Sequence, residues 1–164
     1  GTLEIITPLP EYEINKGFLG RLVQTTTEVL GLEISSLCST TLSRKDLQKG
    51  VGPDECYYIT NEELVRGKIK FDFNHDPPPD LAIEIDITSS SLDRLTIYAA
   101  LGIQKIWRFD GENLFIYCLQ YGNYQEQEKS NVLPILSRSV ILNFLIRRGE
   151  KGENALLREF CEWL

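Results

Sequence analysis

The alternation of apolar and polar positions divides the chain into short strands and amphipathic helices. Residues 3–7 alternate enough for a short strand, which Pro8 and Pro10 close. Over residues 13–30, Ile14, Phe18, Leu22, Val29 and Leu30 recur at helical spacing with Leu19 and Val23 beside them, and Gly31 supplies the stop. Residues 32–42 mix β-branched and small polar side chains and predict a strand through Ile34, Leu37 and Thr41. A charged, glycine-closed connection over 44–52 leads to Pro53 and Asp54, where a strand through Cys56, Tyr57, Tyr58 and Ile59 begins. Residues 61–74 are polar apart from Phe71 and Phe73, and Pro77, Pro78 and Pro79 then exclude both helix and ladder pairing. Residues 81–87 are almost continuously apolar, as in a central strand covered on both faces.

Beyond that strand, Ser89, Ser90 and Ser91 offer helix caps, and Leu92, Leu95, Tyr98, Ala99 and Leu101 keep helical spacing up to Gly102. Residues 103–109 and 114–119 read as a hairpin joined across 110–113. Helices over 133–146 and 154–164 complete the chain, separated by an exposed turn with Arg147, Arg148 and Lys151. The succession predicts one α/β domain over residues 1–164, a mixed sheet of five or six strands flanked by helices.

Composition narrows this picture. A chain of 164 residues, 42% apolar, suits one core. Its net charge of −7 opposes a protein that coats nucleic acid by positive potential, yet leaves room for a local basic patch or a carboxylate-rich metal site. Cys38, Cys56, Cys118 and Cys161 form no CxxC pair and read as buried free thiols. His75, the single histidine, gives no His–His metal site or hydrolytic triad and reads as part of a solvated loop. Tyr57, Tyr58, Tyr98 and Trp107 read as core rather than as platforms for bases. With no leader pattern and no run of about 20 apolar residues, the expectation is a cytoplasmic protein without a membrane partner.

The chemistry concentrates where apolar patterning and charge conflict. Side chains at alternate positions of a strand share a face, so Glu84 and Asp86 point with Ala82, and Asp80 lies on the same side at the strand's start. An uncompensated buried charge costs several kcal/mol. One reading gives Glu84 an arginine partner, Arg94 or Arg108, and puts Asp86 at the wet end of the sheet. The other brings Asp54 from the neighbouring strand, so that Asp54 and Glu84 close on a hard divalent cation such as Mg²⁺ or Mn²⁺, with Asp80 and Asp86 holding a second ion or its water.

Pro53 and Asp54 at one strand, followed by Pro79, Asp80 and the run through Glu84 on the next, resemble the PD-(D/E)xK nuclease superfamily. Thr7 and Pro8, the three serines, the Tyr98 to Gly102 spacing, and Ile106 with Trp107 make the chain similar to a family of restriction-endonuclease-like proteins numerous in photosynthetic bacteria. The resemblance implies a restriction-endonuclease-like fold and Mg²⁺-assisted hydrolysis of DNA phosphodiesters, with Asp54 the first metal acid and Glu84 the second. It also implies a lysine at position 86, where this chain has Asp86. Some relatives place that lysine four residues before the tyrosine, which here is Arg94, a group that clamps phosphate or stabilises developing charge but is no base near neutral pH. Lys45 and Lys49 are the alternatives nearest Asp54 in sequence. Because of that departure, two further readings stand beside the nuclease: a nuclease-derived binding module without turnover, and a structural homodimer paired through aromatic edge strands.

Overall fold

The computed structural model describes residues 9–47, 50–86 and 92–164. The strand expected over 3–7, the Thr7–Pro8 motif, the three serines and Lys49 lie outside them. The first helix, α1 (Pro10–Leu30), begins three residues before its apolar pattern, because a proline in the first turn forfeits an N–H that has no helical partner there. Gly31 ends it at φ 71°. Its N–H donates to the Glu28 carbonyl and that of Leu32 to the Thr27 carbonyl, a left-handed cap that a Cβ would strain.

The strand expected over 32–42 is a correction. Only β1 (Ser35–Ser36) and, at the far end, Leu42 pair there, and between them the chain turns at Cys38, whose φ is 52°. Local side chains capture the backbone at this point: Ser36 Oγ accepts from the Cys38 N–H at 3.1 Å, and the Thr40 hydroxyl donates to the Leu37 carbonyl at 2.6 Å. The stretch read as a plain connection instead closes a small hairpin of β2 (Leu42–Ser43) and β3 (Gly50–Val51). After it come β4 (Glu55–Tyr58), the one-turn helix α2 (Glu62–Val65) and β5 (Leu81–Ile85), every residue of which is buried.

Helix α3 (Leu92–Leu101) then crosses from β5 to the parallel strand β6 (Lys105–Phe109), and β7 (Leu114–Gln120) returns antiparallel. A further strand, β8 (Asn123–Gln127), has no apolar alternation and escapes pattern reading. Its signal is the turn: Tyr121 and Gly122 take φ 51° and 79°, the conformation that joins hairpin strands through two residues. Helix α4 starts at Arg138, not near 133, because Pro134 intervenes and the Ser137 side chain accepts from the Val140 N–H as its cap. Helices α4 (Arg138–Ile146) and α5 (Glu153–Trp163) close the chain.

Among the described residues the main sheet is mixed, six strands in the order β1-β4-β5-β6-β7-β8, which meets the expected α/β class. Its two faces carry separate cores. Leu81, Ile83 and Ile85 of β5 pack with Phe18, Leu19 and Leu22 of α1, Phe144 of α4 and Phe160 of α5. Ala82, on the opposite face, packs with Tyr98 and Leu101 of α3, Ile106 of β6, and Leu42 and Val51 of the hairpin. Tyr57, Tyr58, Tyr98 and Trp107 are fully buried, as expected of core. Of the thiols, Cys56 and Cys118 are buried as expected, but Cys38 on its surface turn and Cys161 on α5 are exposed.

Close seating of α1 on the sheet rests on Gly20, where a Cβ would stand 2.8 Å from the Tyr57 hydroxyl oxygen. Gly17, one turn earlier, has open space. Gly17→Ala should therefore stabilise by about 0.5–1 kcal/mol through helix propensity, whereas Gly20→Ala should destabilise by about 1–3 kcal/mol through overpacking. Urea midpoints decide between them, and equal gains from both substitutions would contradict this packing.

Candidate functional site

The carboxyl end of β5 is where the acids meet. Asp54 immediately precedes β4, whose pairing with β5, Glu55 opposite Ile83 and Cys56 opposite Ala82, brings it to the end of β5 that carries Glu84. Asp54 is anchored by the sheet itself: its N–H donates to the Ile83 carbonyl at 3.1 Å and its Oδ2 accepts from the Ile85 N–H at 2.6 Å.

Glu84 is 6% exposed, on the face covered by α3. Its Oε1 accepts from Arg94 Nη2 at 2.9 Å and from the Tyr98 hydroxyl, and the same Nη2 also donates to the Gly52 carbonyl. Arg94, from the first turn of α3, thus ties Glu84 to the connection that delivers Asp54. The expected arginine partner is present, and it coexists with the acidic pair instead of excluding it.

Burial dominates the electrostatics of Glu84. Desolvation pushes its carboxyl up to about 8, against the opposing charge of Arg94, while the charges of Asp54 and Asp86 add to the rise. Asp54 is raised for the same first reason, with the Ile85 amide, Arg94 and Lys16 holding it down. Lys16, on α1, is a site residue that sequence reasoning missed. Its ammonium pairs with Glu13 at 2.8 Å and acts on Asp54 and Glu55 across the sheet's end. The Glu13–Lys16 spacing is an ordinary helix pair, so no local signal ties it to a strand that follows about forty residues later.

Asp86 is also buried, and its Oδ2 lies 3.4 Å from Nη2 of Arg108, whose guanidinium sits 5.3 Å from the centre of the Phe115 ring. Asp80 does different work. Its Oδ2 accepts from the N–H groups of Ile59 and Asn61 at 2.7 and 2.9 Å, fixing the turn after β4. Four residues of strand, roughly 13 Å, separate it from Glu84. Among the described residues, no three His, Cys, Asp or Glu side chains converge on one point. The structure brings Asp54, Glu84 and Arg94 together, sets Asp86 beside them, and leaves Asp80 apart.

A hard divalent cation suits this pair. Mg²⁺ is commonly held by one or two carboxylates, with water and phosphate completing its shell. The charge of Asp54 raises the cost of ionising Glu84, a cost that a bound cation would offset. Among the described residues the second oxygen of each carboxylate, Asp54 Oδ1 and Glu84 Oε2, accepts no hydrogen bond.

Comparisons with known proteins agree with this architecture. The model of the Uma2 family, described as "Putative restriction endonuclease", matches residues 1–146. A solved structure from Anabaena variabilis ATCC 29413, described as "a putative nuclease belonging to DUF820", superposes with a TM-score of 0.57 at 14% identity, covering 87% of this chain and 86% of the other. That likeness establishes a restriction-endonuclease-like fold. No curated protein matches the chain.

The raised Glu84 carboxyl makes stability depend on pH with a definite sign. Folded, it keeps its proton up to about 8, whereas unfolded it releases it near 4.5. The folded state therefore binds the extra proton, and stability falls as pH rises through that window. In chelator, the stability of Glu84→Gln minus that of the parent should grow by about 1 kcal/mol or more between pH 5 and 9. A flat difference in denaturation experiments would refute the buried-acid account.

Proposed function

The chain belongs to the Uma2 family, and on that premise we propose that it is a metal-dependent nuclease acting on DNA, with Asp54 and Glu84 as the pair that holds Mg²⁺ or Mn²⁺. What supports this is the meeting of two acids, Asp54 at the entry to β4 and Glu84 on the buried strand β5, where charge breaks the apolar patterning. When bound, the cation polarises the scissile phosphate and lowers the pKa of a coordinated water.

The protein's own groups supply the rest. The Ile85 amide fixes the Asp54 carboxylate, and Tyr98 with Arg94 fixes Glu84, so neither acid has to reorganise on binding. Arg94 is partly exposed and carries the positive charge nearest the pair, which suits it to stabilise charge developing on phosphate. Lys16 lowers the Asp54 carboxyl through its charge, but its ammonium is paired with Glu13, so it is an electrostatic neighbour of the pair and not a replacement for the lysine that position 86 lacks.

One observation favours a second reading, a binding module without turnover. Glu84 Oε1 is already engaged by Arg94 and Tyr98, and position 86 is an acid.

Cation binding and cleavage separate the two. A hundredfold excess of Mg²⁺ or Mn²⁺ over Kd should raise the thermal midpoint by roughly 5–10 °C, and Glu84→Ala should remove the rise. Supercoiled plasmid with the same metals should be nicked by the parent and not by Asp54→Ala. Nicking unchanged by Asp54→Ala would reject the site, and a metal-dependent midpoint without nicking would select the binding module.

A further inference from the structure

Close to the acidic pair, the β2–β3 hairpin and the loop at 71–74 enclose a cleft of about 630 Å³ lined by Arg44, Lys45, Gly50, Phe71, Phe73 and Asn74, among others. Its composition departs from that of an acidic protein. Arg44 and Lys45 line it from the hairpin and Asp72 from the loop, and the loop is entered through Arg66, Lys68 and Lys70, the last of them next to the lining residue Phe71. Arg66 is paired with Glu62, Lys68 with Asp76 and Arg44 with Asp46. Lys45 and Lys70 are exposed and make no ion pair among the described residues.

The aromatic residues of the cleft form a ladder that climbs out of the core. Tyr58 is fully buried and pinned by its hydroxyl to the Pro77 carbonyl at 2.8 Å. Phe71 stacks on it with ring centres 5.9 Å apart, and Phe73 stacks on Phe71 at 6.1 Å. Both phenylalanines are only half-buried, so the ladder ends in ring surface at the cleft. The loop bearing them is held by its own acids. Asp72 accepts from the Asn74 N–H and side-chain amide and meets His75 Nδ1 at 2.8 Å, while Asp76 accepts from the Asp72 N–H and pairs with Lys68. These carboxylates are engaged within the loop, whereas the cations of Lys45 and Lys70 stay available.

We propose that this cleft binds single-stranded nucleic acid, an unpaired base stacking on Phe73 and Phe71 while flanking phosphates meet Lys45 and Lys70. A ring platform beside mobile cations is how proteins hold single strands without reading sequence. Gly50, which lines the cleft, lies four residues before Asp54, a reach of at most about 14 Å, or roughly four stacked nucleotides. As a substrate channel the cleft rests on the nuclease reading; as a binding site it does not.

The experiment is fluorescence anisotropy in EDTA, where no cleavage occurs, using labelled single-stranded DNA, RNA of the same sequence, and the DNA duplex. Single strands should bind more tightly than duplex, and the tighter of DNA and RNA names the source. Phe73→Leu, which keeps the apolar packing that the core needs, should weaken binding roughly 5- to 150-fold, the range for one lost base stack. Lys45→Glu with Lys70→Glu should flatten the logarithmic salt dependence by about 1.4, or about 0.7 for each phosphate that is no longer neutralised. Absence of binding by the parent, preference for duplex, or Phe73→Leu binding like the parent while folded would each overturn the proposal. Asp54→Ala tests the other reading: its loss of nicking with binding intact leaves the cleft standing, and its nicking with binding intact rejects the acidic site alone.

Discussion

A carboxylate on a strand covered by helices on both faces sets the terms for everything near it. Moving such a group out of water costs several kcal/mol unless opposite charge or hydrogen bonds replace its hydration. Glu84 obtains part of that compensation from one arginine and one tyrosine, both from α3, and its carboxyl still sits far above the ordinary range. Its neighbours work against it, since Asp54 and Asp86 are themselves acids. A protein selected only for stability would replace this cluster with apolar residues of similar volume at little cost or some gain. Its presence on the strand where it is most expensive is the physical reason to look for function here.

The fold delivers the compensation from separate parts of the chain. The parallel crossover from β5 to β6 begins just after Asp86, so the first turn of α3 returns over the end of β5 and presents Arg94 to Glu84. The antiparallel pairing of β4 with β5 brings Asp54 to the Glu84 end of β5, and the bond between Arg94 and the Gly52 carbonyl locks the approach to Asp54. On the other face α1 is drawn close by Gly20, and its first turns carry Lys16 toward Asp54. Asp80 shows the contrast within one strand. It too is an acid on β5's polar-bearing face and is buried, but two backbone amides satisfy it and it stabilises a turn.

How much of this the sequence discloses follows from the range of each signal. The apolar run of β5, the helical spacing of α1 and α3 and the hairpin of β6 and β7 are local patterns, and each forms close to where the pattern puts it. The Asp54–Glu84 juxtaposition was legible because two neighbouring strands and a resemblance to known nucleases pointed the same way. Strand β8 was not, because its residues are mostly polar and only its turn conformation declares it. The stretch after α1 misled in the opposite sense: Ile34, Leu37 and Thr41 have strand character, but Ser36 and Thr40 bond to the backbone first. Lys16 joins the site through tertiary packing alone, which no spacing rule encodes.

Net charge is a poor guide to where such a protein meets phosphate. The total of −7 is a sum over the whole chain, in which Lys45 and Lys70 stand exposed without an ion pair among the described residues. Acids concentrate at the end of β5, where Asp54 and Asp86 raise the cost of ionising Glu84, and basic residues occur on the hairpin and on residues 66–75. At physiological ionic strength the Debye length is about 8 Å, so charges distributed over the rest of the molecule are screened from a strand lying in the cleft. What such a strand experiences is the few groups within that distance. On this basis an acidic chain and a phosphate-binding face are compatible, and the decisive quantity is the sign of the charge lining the cleft, not the sum over the sequence.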